Sequence, residues 1–236
     1  MTFTWATGSH RGRIRDNNED SVYPETGGRT EGMLLLAVAD GMGGHAGGEV
    51  ASRLAIETIV TASDLPLTQR ISAANDFILA RASEDPDLRG MGTTLTAAEL
   101  LPTGSLTLGH VGDSRAYLLR NGMLNQLTKD HSVVAEYLRA GNIRPEDVAT
   151  HPHRSMLTRA VGLDPDLVVD VIEAAVQAGD RLLICSDGLT SMISDSRIAE
   201  LLGAGTLEEA VWMLIEAANR AGGHDNISLA VVDVGP

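Results

Sequence analysis

Apolar residues recur along this chain with two different periods. Residues 3–7 are rich in β-formers, and residues 33–39 form a short continuous apolar run of the kind a buried strand shows. Val50, Leu54, Ala55, Thr58 and Ile59 then recur at intervals of three and four, as do Ile71, Ala74, Ile78 and Leu79. That spacing predicts a pair of amphipathic helices. Strand signals resume over residues 93–101, 105–111 and 116–120, and Asn121-Gly122 ahead of residues 123–127 predicts a tight hairpin.

The segment 131–160 reads differently. Residues 131–140 predict a short helix ended by Gly141, and residues 144–150 predict another, with Pro145 suited to a first helical position. Placed between strand-rich blocks and carrying His131, His151 and His153, this stretch is expected to be a mobile insertion. Strands return at residues 167–176 and 180–186. Thr206 and Glu209 form a capping-box pattern ahead of Leu207, Ala210, Val211, Leu214, Ile215 and Ala218, which share one helix face that Gly222-Gly223 ends. Residues 227–234 close the pattern as a last strand. Blocks of strands joined by hairpins, with helix pairs between them, predict an α+β fold of antiparallel sheets with helices packed outside. No repeat or linker divides the 236 residues, so one domain over 1–236 is expected.

Composition narrows the function classes. The chain carries 18 Lys+Arg against 32 Asp+Glu, a formal net charge of −14. Phosphate backbones and anionic lipid surfaces are held by clustered bases, so neither nucleic acid nor membrane is an expected partner. Aromatics are 3% of the sequence, which makes the core aliphatic. The single cysteine, Cys185, allows no internal disulfide and lies within an apolar strand, where a structural role is expected. No apolar run approaches the roughly 20 residues of a membrane span, and the expected setting is the cytoplasm.

The acids are not spread evenly. Glu19-Asp20, Asp40-Gly41, Asp113, Asp187-Gly188 and Asp225-Asn226 each sit at a predicted strand end or beside a glycine turn. Strand ends aim side chains at fixed points, and converging carboxylates repel unless a cation neutralises them. Oxygen donors without cysteine point to a hard metal, Mg²⁺ or Mn²⁺. Turn chemistry alone accounts for any single Asp-Gly, but less readily for the whole set.

In order along the chain, Arg15-Asp16-Asn17-Asn18-Glu19-Asp20, Asp40-Gly41-Met42-Gly43-Gly44-His45-Ala46-Gly47-Gly48, Gly112-Asp113-Ser114-Arg115-Ala116, Ser186-Asp187-Gly188-Leu189-Thr190 and Asp225-Asn226-Ile227 resemble the motifs of the type-2C metal-dependent protein Ser/Thr phosphatases, most closely the bacterial single-domain branch. The resemblance runs from about residue 4 to residue 234. It implies a four-layer α-β-β-α sandwich, two antiparallel sheets flanked by helix pairs, with residues 131–160 as a flap subdomain that influences substrate choice. It implies hydrolysis of phosphoserine and phosphothreonine by direct attack of a metal-bridging hydroxide, reversing protein-kinase signalling. Asp40 would bridge two Mn²⁺ or Mg²⁺ ions, with the Gly41 carbonyl on one of them. Asp187 and Asp225 would ligate the first metal and Glu19 the second, while Asp20 would hold their waters. Arg15 would grip the substrate phosphate, and Asp113 would belong to a weaker third metal site. The expected partners are phosphorylated proteins, targets of Ser/Thr kinases, and a monomer is expected. Two bound divalent ions would bring the formal charge from −14 to about −10.

Two positions depart from the pattern. Met42 stands where eukaryotic members carry a His, which leaves His45 as the candidate general acid, with a proton from metal-bound water as its rival. Ser191 stands where the family often has an Asp, so the third metal would bind weakly or through waters. His110 is expected to serve strand packing, His131, His151 and His153 a surface or substrate-contact role, and His224 the shape of its turn. Arg154, Ser155, Thr158 and Arg159 resemble a further family stretch without an assigned role. The rival function is a catalytically silent phosphoprotein-binding module on the same fold; retention of all the core acids argues against it.

Overall fold

The computed structural model describes residues 1–43 and 47–236. Strands β1 (Thr2–His10), β2 (Asp20–Tyr23), β3 (Gly28–Thr30) and β4 (Leu34–Met42) lead into helices α1 (Gly47–Thr61) and α2 (Leu67–Glu84). Strands β5 (Gly92–Thr93), β6 (Leu95–Leu100), β7 (Ser105–Val111), β8 (Arg115–Arg120) and β9 (Met123–Gln126) follow. Helix α3 (Val133–Arg139) and a 3-10 turn (Pro145–Thr150) precede β10 (Asp170–Ala175) and β11 (Arg181–Cys185). Then come α4 (Asp187–Thr190), α5 (Asp195–Leu202), α6 (Leu207–Arg220) and β12 (Ile227–Gly235).

The strands form two antiparallel sheets. The first runs β3-β1-β12-β11-β8-β9 and the second β10-β7-β6-β4-β2, with β5 paired to the end of β4. Strand alternation sorts the apolar side chains into three layers. Leu34, Leu36 and Val38 of β4 meet Leu182, Ile184, Ala230 and Val232 between the sheets. Ala37 and Ala39 point the other way, where Ile59, Ile71 and Ile78 of α1 and α2 cover them. On the far side, Leu183, Cys185, Leu229 and Val231 pack under Ile198, Leu214 and Ile215 of α5 and α6. The result is the α-β-β-α sandwich that the sequence implies.

Local chemistry sets the boundaries. The Thr206 hydroxyl accepts from the Glu209 N–H while the Glu209 carboxylate accepts from the Thr206 N–H, the capping box expected at the start of α6. Asn121 and Gly122 both adopt left-handed backbone (φ 52° and 77°), the twist a two-residue hairpin between β8 and β9 requires. The single strand expected over 93–101 is instead split at Thr94. That residue leaves the ladder to bond Asp40, accepting from its N–H at 3.0 Å through Oγ1 and donating to its carbonyl at 2.9 Å.

The insertion is closed at its base. Thr93 and Val161 exchange N–H···O bonds of 2.9 and 2.8 Å, and the Val133 N–H donates to the Met156 carbonyl at 2.9 Å.

Candidate metal centre

Two strand pairs bring the acidic positions to one end of the sandwich. On β2 and β4 of the second sheet, Asp20 and Asp40 are register partners. The Gly41 N–H donates to the Glu19 carbonyl at 3.1 Å, which draws Glu19 to the same edge. On the first sheet β11 and β12 are neighbours, so Asp187, the first residue after Ser186 and the start of α4, lies beside Asp225, which precedes β12. Asp113 sits in the turn between β7 and β8. Together Arg15, Glu19, Asp40, Gly41, Asp113, Asp187 and Asp225 line a cleft of about 250 Å³, with Met42, Gly43, Thr94, Ser155 and Leu157 completing its wall.

The glycines of the Asp-Gly pairs answer to crowding as well as to turn chemistry. A Cβ on Gly41 would lie 2.1 Å from the Gly48 carbonyl oxygen, and one on Gly188 would lie 1.9 Å from that of Asn226. Backbone must pass backbone at both places for the carboxylates to converge.

Convergence raises the proton affinity of the group. Burial, and then the Asp20, Asp187, Asp113 and Asp225 charges, hold the Asp40 carboxyl well above the usual carboxylate range. Burial is also the chief cause for Asp113, pushed up to about 8 with the Asp187 charge adding, and for Asp187, pushed up to about 6 with Asp225 adding. Asp20 is pushed up to about 7 by burial, against hydrogen bonds from Ser228 and Ser186 that favour its charged form. Glu19 is raised by burial, with Arg15 opposing. Such a set cannot be fully ionised near neutral pH unless positive charge joins it.

The donors suit a divalent cation. They are all oxygens, carboxylate and backbone, and the cluster contains neither thiolate nor described imidazole. Asp20 stands behind the lining residues. The Ser186 hydroxyl donates to its Oδ2 at 2.8 Å, while its Oδ1, among the described residues, is one of the few buried side-chain oxygens without a hydrogen-bond partner. An orphaned carboxylate oxygen at this place fits a hydrated cation. Arg15, half exposed at the rim, donates to Asp225 Oδ2 at 2.7 Å.

The structure adds two residues that had no expected role. Asn226 is a hub: its Oδ1 accepts from the Glu19 N–H at 2.8 Å, and its Nδ2 donates to the Arg11 and Asn17 carbonyls at 3.0 and 2.9 Å. It thereby ties the Arg15 loop to Asp225. Its place within the Asp225-Asn226-Ile227 motif was the available signal. Thr94, which fixes Asp40, carried none.

Ser191 is exposed at the end of α4, and Met42 lines the cleft. His45 lies outside the described residues. Cys185 is fully buried with its thiol pushed up to about 12 by burial, in keeping with a structural role. His110 is buried, as expected of a packing residue, with Nδ1 at 2.8 Å from Thr96 Oγ1 and Nε2 at 3.1 Å from the Lys129 carbonyl. The expectation for His131 is corrected: it is no surface residue but 1% exposed, because its ring lies 4.7 Å from that of His110 beneath the insertion.

Comparison with known proteins decides the family. The sequence profile described as Protein phosphatase 2C matches residues 7–210. The chain belongs to the protein phosphatase 2C family. This phosphatase 2C chain is 44% identical to the serine/threonine protein phosphatase PstP of Mycobacterium tuberculosis over 99% of its own length. It spans about half of that relative, 45%. It is 41% identical to the serine/threonine phosphatase stp of Listeria monocytogenes, covering 94% of this chain and 92% of that one. A crystal structure of the PstP catalytic domain, in complex with two manganese ions, superposes with a TM-score of 0.88 at 41% identity, over 100% of this chain and 99% of the other.

Proposed function

We propose that this chain is a metal-dependent phosphoprotein phosphatase that hydrolyses phosphoserine and phosphothreonine and so reverses protein-kinase signalling. One observation carries the reading: an all-oxygen acidic cluster converges beneath a single arginine in a cleft open to solvent. Asp40, Asp187 and Asp225 would hold one Mn²⁺ or Mg²⁺ ion and Asp40 with Glu19 a second, with the Gly41 carbonyl on one of the two. Asp20 would hold waters around them, and Asp113 would serve a weaker third site. The chemistry two bound divalent cations supply is charge neutralisation and a water that gives up its proton near neutral pH.

The chain's own residues supply the rest. Arg15 presents a planar fork to the phosphate oxygens, which orients the ester and offsets its charge. The carboxylates exclude a free dianion from the cleft until they are neutralised. His45 is the candidate donor of a proton to the leaving hydroxyl. Residues 131–160 form the flap, whose Ser155 and Leu157 stand at the cleft wall, where they would meet the substrate chain. The working protein is a cytoplasmic monomer, acting on phosphorylated proteins and not on nucleic acid or membranes. No described helix is long and apolar enough to cross a bilayer.

The test is phosphate release from a phosphothreonine peptide with Mn²⁺ or Mg²⁺ added. The wild type turns over with either ion, and Asp187→Asn loses activity. Release by the mutant at the wild-type rate, or none by the wild type with metal, overturns the reading.

A further inference from the structure

His131 makes three contacts that join the acidic floor of the cleft to the flap. Its backbone N–H donates to the Gly112 carbonyl at 2.8 Å, and its ring Nδ1 accepts from the Gly112 N–H at 3.1 Å. One residue thus holds both polar groups of the glycine that precedes Asp113. Its own carbonyl accepts from the Thr158 N–H at 2.8 Å, and next to it Ser132 bridges Leu157, a residue of the cleft wall.

The ring is fixed in turn. Because Nδ1 accepts, the neutral imidazole carries its proton on Nε2. That atom lies 3.2 Å from Asp170 Oδ2, a polar contact whose alignment falls short of a good hydrogen bond. Asp170 Oδ1 accepts from Arg159 at 2.6 Å, and His110 packs against the ring. Gly112 needs this grip: its φ of 109° favours glycine, and a Cβ there would meet Thr94 at 2.5 Å, so no side chain can stand there to brace the turn.

We propose that His131 is a positioning residue, which through the bond from Gly112 to its Nδ1 sets Asp113 and the Ser155–Leu157 wall in register with each other. Its kinetic consequence rests on the phosphatase reading; its structural consequence does not. What matters is a hydrogen-bond acceptor at the Nδ1 position. Asn places its amide oxygen near that position, whereas Gln reaches to the Nε2 position and leaves the Gly112 N–H unpaired.

The experiment compares His131→Asn, His131→Gln and His131→Leu by hydrogen exchange at the Gly112 amide, first without metal and then with Mn²⁺. Turnover of a phosphothreonine peptide is followed in parallel. In the Gln and Leu variants Gly112 exchanges at least about tenfold faster than in the wild type, and kcat falls about tenfold with KM changed much less, the factor one hydrogen bond supplies. His131→Asn restores both readouts to within a few-fold of the wild type. If the Leu variant does not fold, the Asn/Gln contrast still decides. Equal behaviour of Asn and Gln, the reverse order, or unchanged Gly112 exchange in all variants overturns the proposal. Loss of turnover in every form, wild type included, with the Gly112 ordering intact, counts against the phosphatase reading and supports the clamp.

Discussion

Arg15 donates to Asp225 Oδ2 at 2.7 Å, so the guanidinium at the cleft mouth is held in place by a carboxylate of the acidic cluster. The two are 210 positions apart in the chain. Asp225 aims the guanidinium across the cleft mouth. Replacing Arg15 by Ala should lower kcat/KM for a phosphothreonine peptide about 100-fold, mostly through KM, as removal of a charge-assisted fork does. Lys restores the charge without the fork and should recover only part. Steady-state kinetics of both variants with saturating Mn²⁺ checks this; an unchanged KM in Arg15→Ala speaks against phosphate contact.

Asp187→Asn should separate stability from function. In the metal-free protein Asp187 sits in a cluster that repels its charge, so the neutral amide should raise the melting temperature. The same variant should respond less to Mn²⁺, since a proposed ligand is gone. Calorimetric scans with and without Mn²⁺ test both halves, and a metal-free variant that melts below the wild type contradicts the repulsion argument.

The pH dependence of the metal-free protein follows from the same groups. Asp20, Asp113 and Asp187 are pushed up to about 7, 8 and 6, against an ordinary value near 3.9 for an unfolded chain. Between those values the folded state binds more protons than the unfolded state, so stability is present at low pH and is lost as pH rises. The metal-free melting temperature should therefore fall from about pH 6.5 to 8, and Mn²⁺ should flatten the fall. Below about 6.5 His110 acts the other way: held down to about 4 by burial, it stays neutral in the fold while the unfolded chain takes up a proton. A metal-free melting temperature that climbs from pH 6.5 to 8 would rule out the cluster as its main determinant.

Asn226→Ala should cost about 2 kcal/mol, because it leaves the Glu19 N–H and two carbonyls without their partner at a nearly buried position. The loop carrying Arg15 then loses its tie to β12, so the apparent Mn²⁺ affinity should fall as well. Urea denaturation and a calorimetric Mn²⁺ titration measure the two effects. A loss of stability with metal affinity unchanged would confine Asn226 to a structural role.

What the sequence made legible is what local chemistry determines. Alternating and continuous apolar runs gave the central strands, and the Thr206–Glu209 pair gave the start of α6. The acids at strand ends and beside glycine turns gave the cluster, since a carboxylate at a strand end announces where it points. β2 and β3 were missed. They are four and three residues long and no residue in either is fully buried, so no alternation marks them. α4 was missed because it is a four-residue turn starting at Asp187 itself. Thr94, Asn226 and His131 act through bonds spanning 54, 207 and 19 positions, which no local pattern encodes.

The position of β12 also ties the two ends of the acidic cluster to the closing of one sheet. It pairs with β1 on one side and β11 on the other and begins two residues after Asp225, so the strand in the middle of the first sheet is the last of the twelve in chain order. Arg15 therefore has its anchor, and the cluster its Asp225 carboxylate, only where β12 is seated between β1 and β11.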